Sequence, residues 1–192
     1  MGNQNKVRFG LSRVHYAVLT EGSSNVWTTP IAVPGAVNLD LSDNVATEKF
    51  YADNVEYYRT YANNGYSGTL EMAKIPEAML ADIWGMTADA NGVIREKAGV
   101  EPKPFALLFE VDGDADKEYN VLYRCLPSGK PTAGSSTTGE TATPVTQSFP
   151  FDALPLVTGA TAQQGLIKSR TGSGTTTSVK EGWFSAVNVP SA

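Results

Sequence analysis

The sequence predicts a mainly β fold: an antiparallel sandwich or barrel with one flanking α-helix. Three observations predict it. Short runs alternate apolar and polar residues with a period of two, as in VHYAVL at 14–19 and YSGTLEMA at 66–73. Turn residues separate these runs, and no helix recurs between them, which argues against a doubly wound sheet. Only one segment has a helical period, Ile75–Gly85, with Ile75, Met79, Leu80, Ile83 and Trp84 on one stripe.

Along the chain, Val14, Tyr16 and Val18 share one strand face, and His15, Ala17 and Leu19 the other. Gly22-Ser23-Ser24-Asn25 signals a turn, and Pro30 and Pro34 bracket a short segment. Val37, Leu39 and Leu41 alternate with Asn38, Asp40 and Ser42 as a half-buried strand. An insertion loop over 43–65 follows, holding Tyr51, Tyr57, Tyr58 and Tyr61, with Asn63-Asn64-Gly65 as its closing turn. The helix has Pro76 at its first position and Gly85 just past its end. FALLFEV (105–111) and YNVLYRCL (119–126) flank Asp112–Lys117, the strongest hairpin signal. Within the second of these strands, alternation puts Cys125 on the face of Val121 and Tyr123. Residues 127–144 are rich in Ser, Thr, Gly and Pro and form an excursion between elements. Val145–Phe151 reads as a strand in which Pro150 favours an edge or an end. Residues 1–158 thus form the β domain. Residues 159–192 form an extension or arm, with TGSGTTTS (171–178) as a linker and Trp183 and Phe184 as docking residues, on the chain's own body or a neighbour.

A chain of 192 residues suits one domain with an extension. No run approaches the ~18 apolar residues of a membrane span, and MGNQNKVRFG has no apolar stretch of signal-peptide type. Gly2 follows Met1, but Lys6 stands where a myristoylation signal prefers Ser or Thr. A single cysteine leaves no intramolecular disulfide and no cysteine-cluster metal site, and fits a reducing compartment. Net charge is −5. A nucleic-acid clamp ordinarily presents a basic surface instead. From Gly159 onward Lys168, Arg170 and Lys180 outnumber Glu181 by two, so the preceding body carries −7.

Reaction chemistry is sparse. Asp112, Asp114 and Asp116 alternate as in a calcium loop, but strands flank them and no bidentate acid closes the loop, so a solvated hairpin turn accounts for them better. His15 is the only histidine, and no G-x-S-x-G elbow accompanies it. Cys125 reads as a small buried apolar side chain. No phosphate-binding loop or dinucleotide fingerprint is present. Asp53 and Glu56 have the residue types of a glycosidase pair, but Lys49 and Arg59 beside them make ion pairs the simpler reading. The chain is expected to be no enzyme and to need no cofactor or metal. Tyrosine combines a large rigid ring with a polar tip and is enriched where proteins meet. The tyrosine-rich insertion is therefore expected to grip a neighbour.

The ordered set VRFGLSRVHYAVLTE (7–21), FYADN (50–54), NNGYSGTLEMAKIPE (63–77), DIWG (82–85), NGV (91–93), PFALLFE (104–110), VLYRC (121–125) and TPVTQSF (143–149), with GWFSAV (182–187) as a looser match, resembles the major tail proteins of long, non-contractile-tailed bacteriophages, the phi13 family. The resemblance spans nearly the whole chain and is weakest at 171–178. It implies a tail-tube-like β-sandwich with a flanking helix. Such subunits form hexameric rings that stack into a hollow tube, through which double-stranded DNA passes at ejection. The inner sheets of a ring join into one barrel, and a long loop or hairpin reaches the next ring. It further implies a homo-oligomer that works with a tape-measure protein, a tail terminator and a distal tail protein, in the virion tail, made in the host bacterial cytoplasm. No catalytic set is carried over. On this reading Tyr51, Asp53, Tyr57, Tyr58, Arg59 and Tyr61 make contacts between subunits or rings. The polar face with Asp40, Thr69 and Glu71 lines an acidic lumen that repels DNA phosphates. Two other classes fit the residues: a distal tail or baseplate-type module that binds a receptor or glycan without polymerising, and a β-sandwich hydrolase.

Overall fold

The computed structural model describes residues 5–135, 137 and 144–190. Part of the predicted 127–144 excursion therefore lies outside the described residues. The strands are β1 (Arg8–Thr20), β2 (Val26–Trp27), β3 (Ile31–Ala32), β4 (Ala36–Ala52), β5 (Val55–Met72), β6 (Thr87–Ala88), β7 (Ile94–Arg95), β8 (Phe105–Gly113), β9 (Glu118–Pro127), β10 (Thr132–Ala133), β11 (Gln147–Ala153) and β12 (Lys168–Arg170). The helices are α1 (Glu77–Trp84) and α2 (Thr177–Gly182). The main sheet runs β2-β1-β8-β9-β11-β5-β4, with β3 also on β1, β12 on β9 and β10 on β11. Every pairing is antiparallel. The fold is a mainly β antiparallel sandwich with a flanking helix.

Alternation sorts the strand residues onto two faces. Val14 and Tyr16 of β1, Leu70 and Met72 of β5, Phe105 and Leu107 of β8, and Phe149 and Phe151 of β11 meet in one core. Helix α1 closes it with Met79, Ile83 and Trp84, and the Trp84 indole meets Phe149 edge-on at 5.0 Å. Pro76 is the N-cap in extended conformation rather than the first helical residue. Gly85 ends the helix at φ 65°, donating its N–H to Ala81, the left-handed cap that glycine adopts without a Cβ penalty.

The opposite face of β1, β8 and β9 carries Ala17, Leu19, Leu108, Val121 and Tyr123. The chain after β11 folds back over it and covers it with Leu156, Trp183 and Phe184. Cys125 departs from its predicted side. A register irregularity opposite Phe105–Leu107 inserts one residue into β9, so Cys125 joins Leu122 in the first core while Val121 and Tyr123 face the second. Pro150 lies inside the sheet, not on its edge. Strand β11 pairs β5 on one side; on the other it pairs β10 at 147–148 and β9 at 151–153. Pro150 sits between those two short ladders, so its missing N–H interrupts neither.

Candidate assembly surface

The largest correction concerns residues 43–65. They are not a loop: β4 and β5 run through them as one long antiparallel ribbon, paired from Asp43–Tyr66 to Ala52–Val55. The turn is at Asp53-Asn54, with φ of 51° and 62°, the two left-handed residues that a two-residue hairpin turn requires. Asn63-Asn64-Gly65, predicted as the turn, is instead a bulge where the register shifts between Asp43 and Val45. Gly65 has φ 102°, and a Cβ there would lie 2.0 Å from the Ala153 carbonyl oxygen. The glycine thus serves a close passage of β5 beside the end of β11.

Beyond this bulge the ribbon pairs only with itself among the described residues. At the rise of a β-strand it extends about 25 Å from the body. Cross-strand pairs define its faces. Ala46 opposes Ala62, Phe50 opposes Tyr58, and Ala52 opposes Val55, which makes one face largely apolar. On the other face Thr47 opposes Tyr61, Lys49 opposes Arg59, and Tyr51 opposes Glu56. Tyr57 is the extra residue of a second irregularity between Phe50 and Tyr51, and it is the most exposed aromatic of the ribbon at 74%. Tyr51, Tyr58 and Tyr61 are exposed as well.

Charge locks the second face. Glu56 accepts two hydrogen bonds from Arg59, at 2.7 and 3.1 Å, and pairs with Lys49 at 3.2 Å. The Arg59 guanidinium, and then Lys49, hold the Glu56 carboxyl below its ordinary range. A carboxylate held ionised in this way is a poor general acid, so the geometry gives the Asp53/Glu56 glycosidase pairing no support. Asp53 is a turn residue, and Arg59 pairs with Glu56 while its side chain stays half exposed.

The predicted polar face is a single surface. Asn38 opposes Glu71, Asp40 opposes Thr69, and Ser42 opposes Ser67. Strand β11 continues it with Ser148, Pro150 and Asp152 opposite Glu71, Thr69 and Ser67. Hydrogen bonds hold the side chains flat: Asn38 donates to Asp40 at 2.8 Å, Ser67 to Asp152 at 2.6 Å, and Thr146 to Glu71. On the reverse of the same strands, Leu39, Leu41, Leu70 and Phe149 pack into the core under α1. Asp40, Thr69 and Glu71 therefore lie on the side of the sheet away from the helix.

Trp183 and Phe184 dock on the chain's own body. The Trp183 Nε1 donates to the Asn120 carbonyl at 3.4 Å. Phe184 packs against the His15 ring at 4.7 Å and lies 4.1 Å from the Arg13 guanidinium. Lys180 pairs with Asp116, and Tyr123 donates to the Asn188 carbonyl at 2.8 Å. The TGSGTTTS stretch contributes to this docking: Thr171 is buried and accepts from the Tyr119 N–H, Gly172–Thr175 forms a turn, and Thr177 opens α2. One element of the docking site escaped the sequence reading. Glu110 is fully buried and pairs with both Arg13 and Lys117. Its signal is an acid near the end of the apolar run FALLFEV.

The other chemical candidates find structural roles. Asp114 accepts the Lys6 N–H at 2.8 Å and Asp116 pairs with Lys180, so the acidic turn ties down two distant segments. Among the described residues, no group of three or more His, Cys, Asp or Glu side chains is placed to hold a metal. His15 is 2.8 Å from the Arg13 carbonyl through Nδ1. Cys125 is wholly buried, and burial pushes its thiol well above its ordinary value. No helix among the described residues is long and apolar enough to cross a membrane.

No protein-family profile matches the chain, and no curated protein matches it. Among solved structures, a chain of the six-fold symmetrised cryo-EM structure of the anti-feeding prophage baseplate is similar, with a TM-score of 0.41 and 9% identity over 85% of this chain and 95% of that one. A likeness of that degree is too loose to bear on function.

Proposed function

We propose that this chain is a structural, non-enzymatic subunit of a bacteriophage tail tube, stacking as hexameric rings around an acidic lumen that conducts DNA at ejection. The observation that carries the proposal is the ribbon arm. It projects from the sheet, pairs with no other part of the described chain, and exposes Phe50, Tyr51, Tyr57, Tyr58 and Tyr61 together. Exposed apolar surface of this kind is costly unless a partner covers it. A contact that is not self-complementary closes rings and extends filaments. On this reading the arm binds an adjacent ring through Tyr51, Asp53, Tyr57, Tyr58, Arg59 and Tyr61. Among the described residues β4 pairs only with β5, so its outer edge offers a neighbouring sheet a strand to pair with.

The face with Asp40, Thr69 and Glu71 then lines the lumen. Its carboxylates Asp40, Glu71 and Asp152, and the absence of lysine and arginine from its paired positions 38–42 and 67–71, suit a channel in which a polyanion slides without being held. The ordered sequence resemblance supports the same reading, with a tape-measure protein, a terminator and a distal tail protein as further partners in the virion tail. The subunit is made in the host cytoplasm.

Negative-stain electron microscopy of the purified protein over a concentration series tests the proposal. Rings or hollow tubes of uniform diameter are expected. A monodisperse monomer throughout would favour the non-polymerising receptor- or glycan-binding module instead. In a reconstruction of the tubes, Asp40 and Glu71 on the outer wall would overturn the lumen assignment.

A further inference from the structure

Beside Tyr66, where the arm leaves the body, charged side chains from three distant segments converge. Glu118 of β9 accepts hydrogen bonds through one oxygen, Oε2, from Arg8 of β1 at 2.9 Å and Arg170 of β12 at 3.1 Å. Lys168 stands two residues before Arg170 on the same face of β12, with its Nζ 5.9 Å from the centre of the Tyr66 ring. Two adjoining recesses open here, of about 610 Å³ along Arg8, Glu118 and Arg170, and about 270 Å³ along Arg8, Tyr66, Lys168 and Arg170.

The charges do not balance. Arg8, Lys168 and Arg170 face the single carboxylate of Glu118; Lys6, Lys117 and Asp116 also line the larger recess, but Lys117 is paired with Glu110 and Asp116 with Lys180. Lys168 is half-buried and has no ion-pair partner within 4 Å among the described residues. Burial, and then the neighbouring Arg8 and Arg170, hold its ammonium below the ordinary lysine range, with Glu118 opposing. Each arginine spends one donor on Glu118 and keeps others in a fork suited to planar or tetrahedral oxyanions. Glu118 is 9% exposed, and its second oxygen, Oε1, is buried with no hydrogen-bond partner among the described residues. The recess therefore offers donors for an anion and one buried acceptor that needs a donor.

We propose that this recess binds an oxyanion carrying a hydroxyl, of the monohydrogen phosphate type, whose oxygens face Lys168, Arg8 and Arg170 and whose O–H donates to Glu118 Oε1. A carboxylate or a sulfate dianion supplies the acceptors but no donor. A phosphodiester, as in a nucleic-acid backbone, lacks the hydroxyl as well. A phosphomonoester above its second pKa of about 6 has likewise lost its P–OH, so the ligand is free monohydrogen phosphate. The site stands on this recess and does not depend on the tail-tube reading.

Isothermal titration of the whole protein at pH 8, where phosphate is mainly the monohydrogen form, tests it with three probes: inorganic phosphate, sulfate and glycerol 3-phosphate. Phosphate is expected to bind at least tenfold more tightly than sulfate. Glycerol 3-phosphate, a dianion without P–OH at this pH, should bind as weakly as sulfate; affinity equal to that of phosphate overturns the proposal. Lys168→Met should lose phosphate binding while keeping the wild-type melting curve. Glu118→Gln should bring sulfate and phosphate to within threefold of each other. No phosphate binding, or equal affinity for phosphate and sulfate in the wild type, overturns the proposal without recourse to any variant. So does phosphate binding unchanged in Lys168→Met.

Discussion

In the arm, Phe50, Tyr51, Tyr57, Tyr58 and Tyr61 are 59–74% exposed, whereas Trp183 and Phe184 near the other end of the chain are 4% and 8% exposed. Both regions are short and aromatic, and both read as contact surfaces. What separates them is the backbone beneath. The C-terminal segment can fold back onto the apolar outer face of β1, β8 and β9, where Ala17, Leu108 and Tyr123 wait to be covered. A paired ribbon is stiff and cannot lay its aromatics on its own body. Its hydrogen-bonded strands and the Glu56–Arg59–Lys49 clasp hold them away from it. Aromatic density thus marks a surface that needs covering, and local stiffness decides whether the cover comes from the same chain or from another.

Trp183→Ala should produce the largest loss in the isolated protein. It removes a buried indole from the second core and should cost about 3–5 kcal/mol, read as a lowered denaturation midpoint. If the midpoint does not move, the C-terminal segment is not docked as described. Gly65→Ala should follow closely. Its φ of 102° and the approach to Ala153 predict a loss of about 3 kcal/mol, because backbone strain and a steric clash add. The corresponding change at Gly92, where φ is also positive but no atom lies within 4 Å of the added Cβ, should cost only about 1 kcal/mol.

Tyr57→Ala with Tyr58→Ala should shift the midpoint of the monomer by no more than about 0.5 kcal/mol, as expected for exposed positions, while abolishing assembly. Large aromatic residues would then differ several-fold in their effect on stability according to which region holds them. Acidification should act least, and on the docked segment. The Lys180 ammonium holds the Asp116 carboxyl below its unfolded value. The pair's contribution is therefore complete above the unfolded aspartate pKa, about 3.9, and is lost as pH falls through the lower folded value. Loosening of Trp183 below about pH 4, seen by its fluorescence and absent in Asp116→Asn, checks this.

Much of this architecture was legible from period-two alternation. Val14, Tyr16, Leu70 and Met72 fall on the core face that their spacing predicts, since one face of each strand must be buried. The turn position was not legible. Asn63-Asn64-Gly65 and Asp53-Asn54 both have hairpin chemistry, and only the long pairing of β4 with β5 decides between them. The side taken by Cys125 was hidden too, because one inserted residue reverses alternation without leaving a mark in composition. In the arm, the exposed tyrosines followed from their density, but the division into an apolar and a charged face depends on register. The recess at Arg8, Glu118 and Arg170 joins segments more than fifty residues apart in sequence, so no local motif could announce it. The docking of Trp183 was masked by the linker-like TGSGTTTS before it, whose glycines and hydroxyls form a turn and lead into α2.

The most direct test of the arm as the assembly surface is electron microscopy of the wild type and the Tyr57→Ala/Tyr58→Ala variant, side by side over one concentration series. The account predicts rings or tubes from the wild type and only monomers from a variant with an unchanged melting curve. Tubes of equal length and yield from both proteins would contradict it.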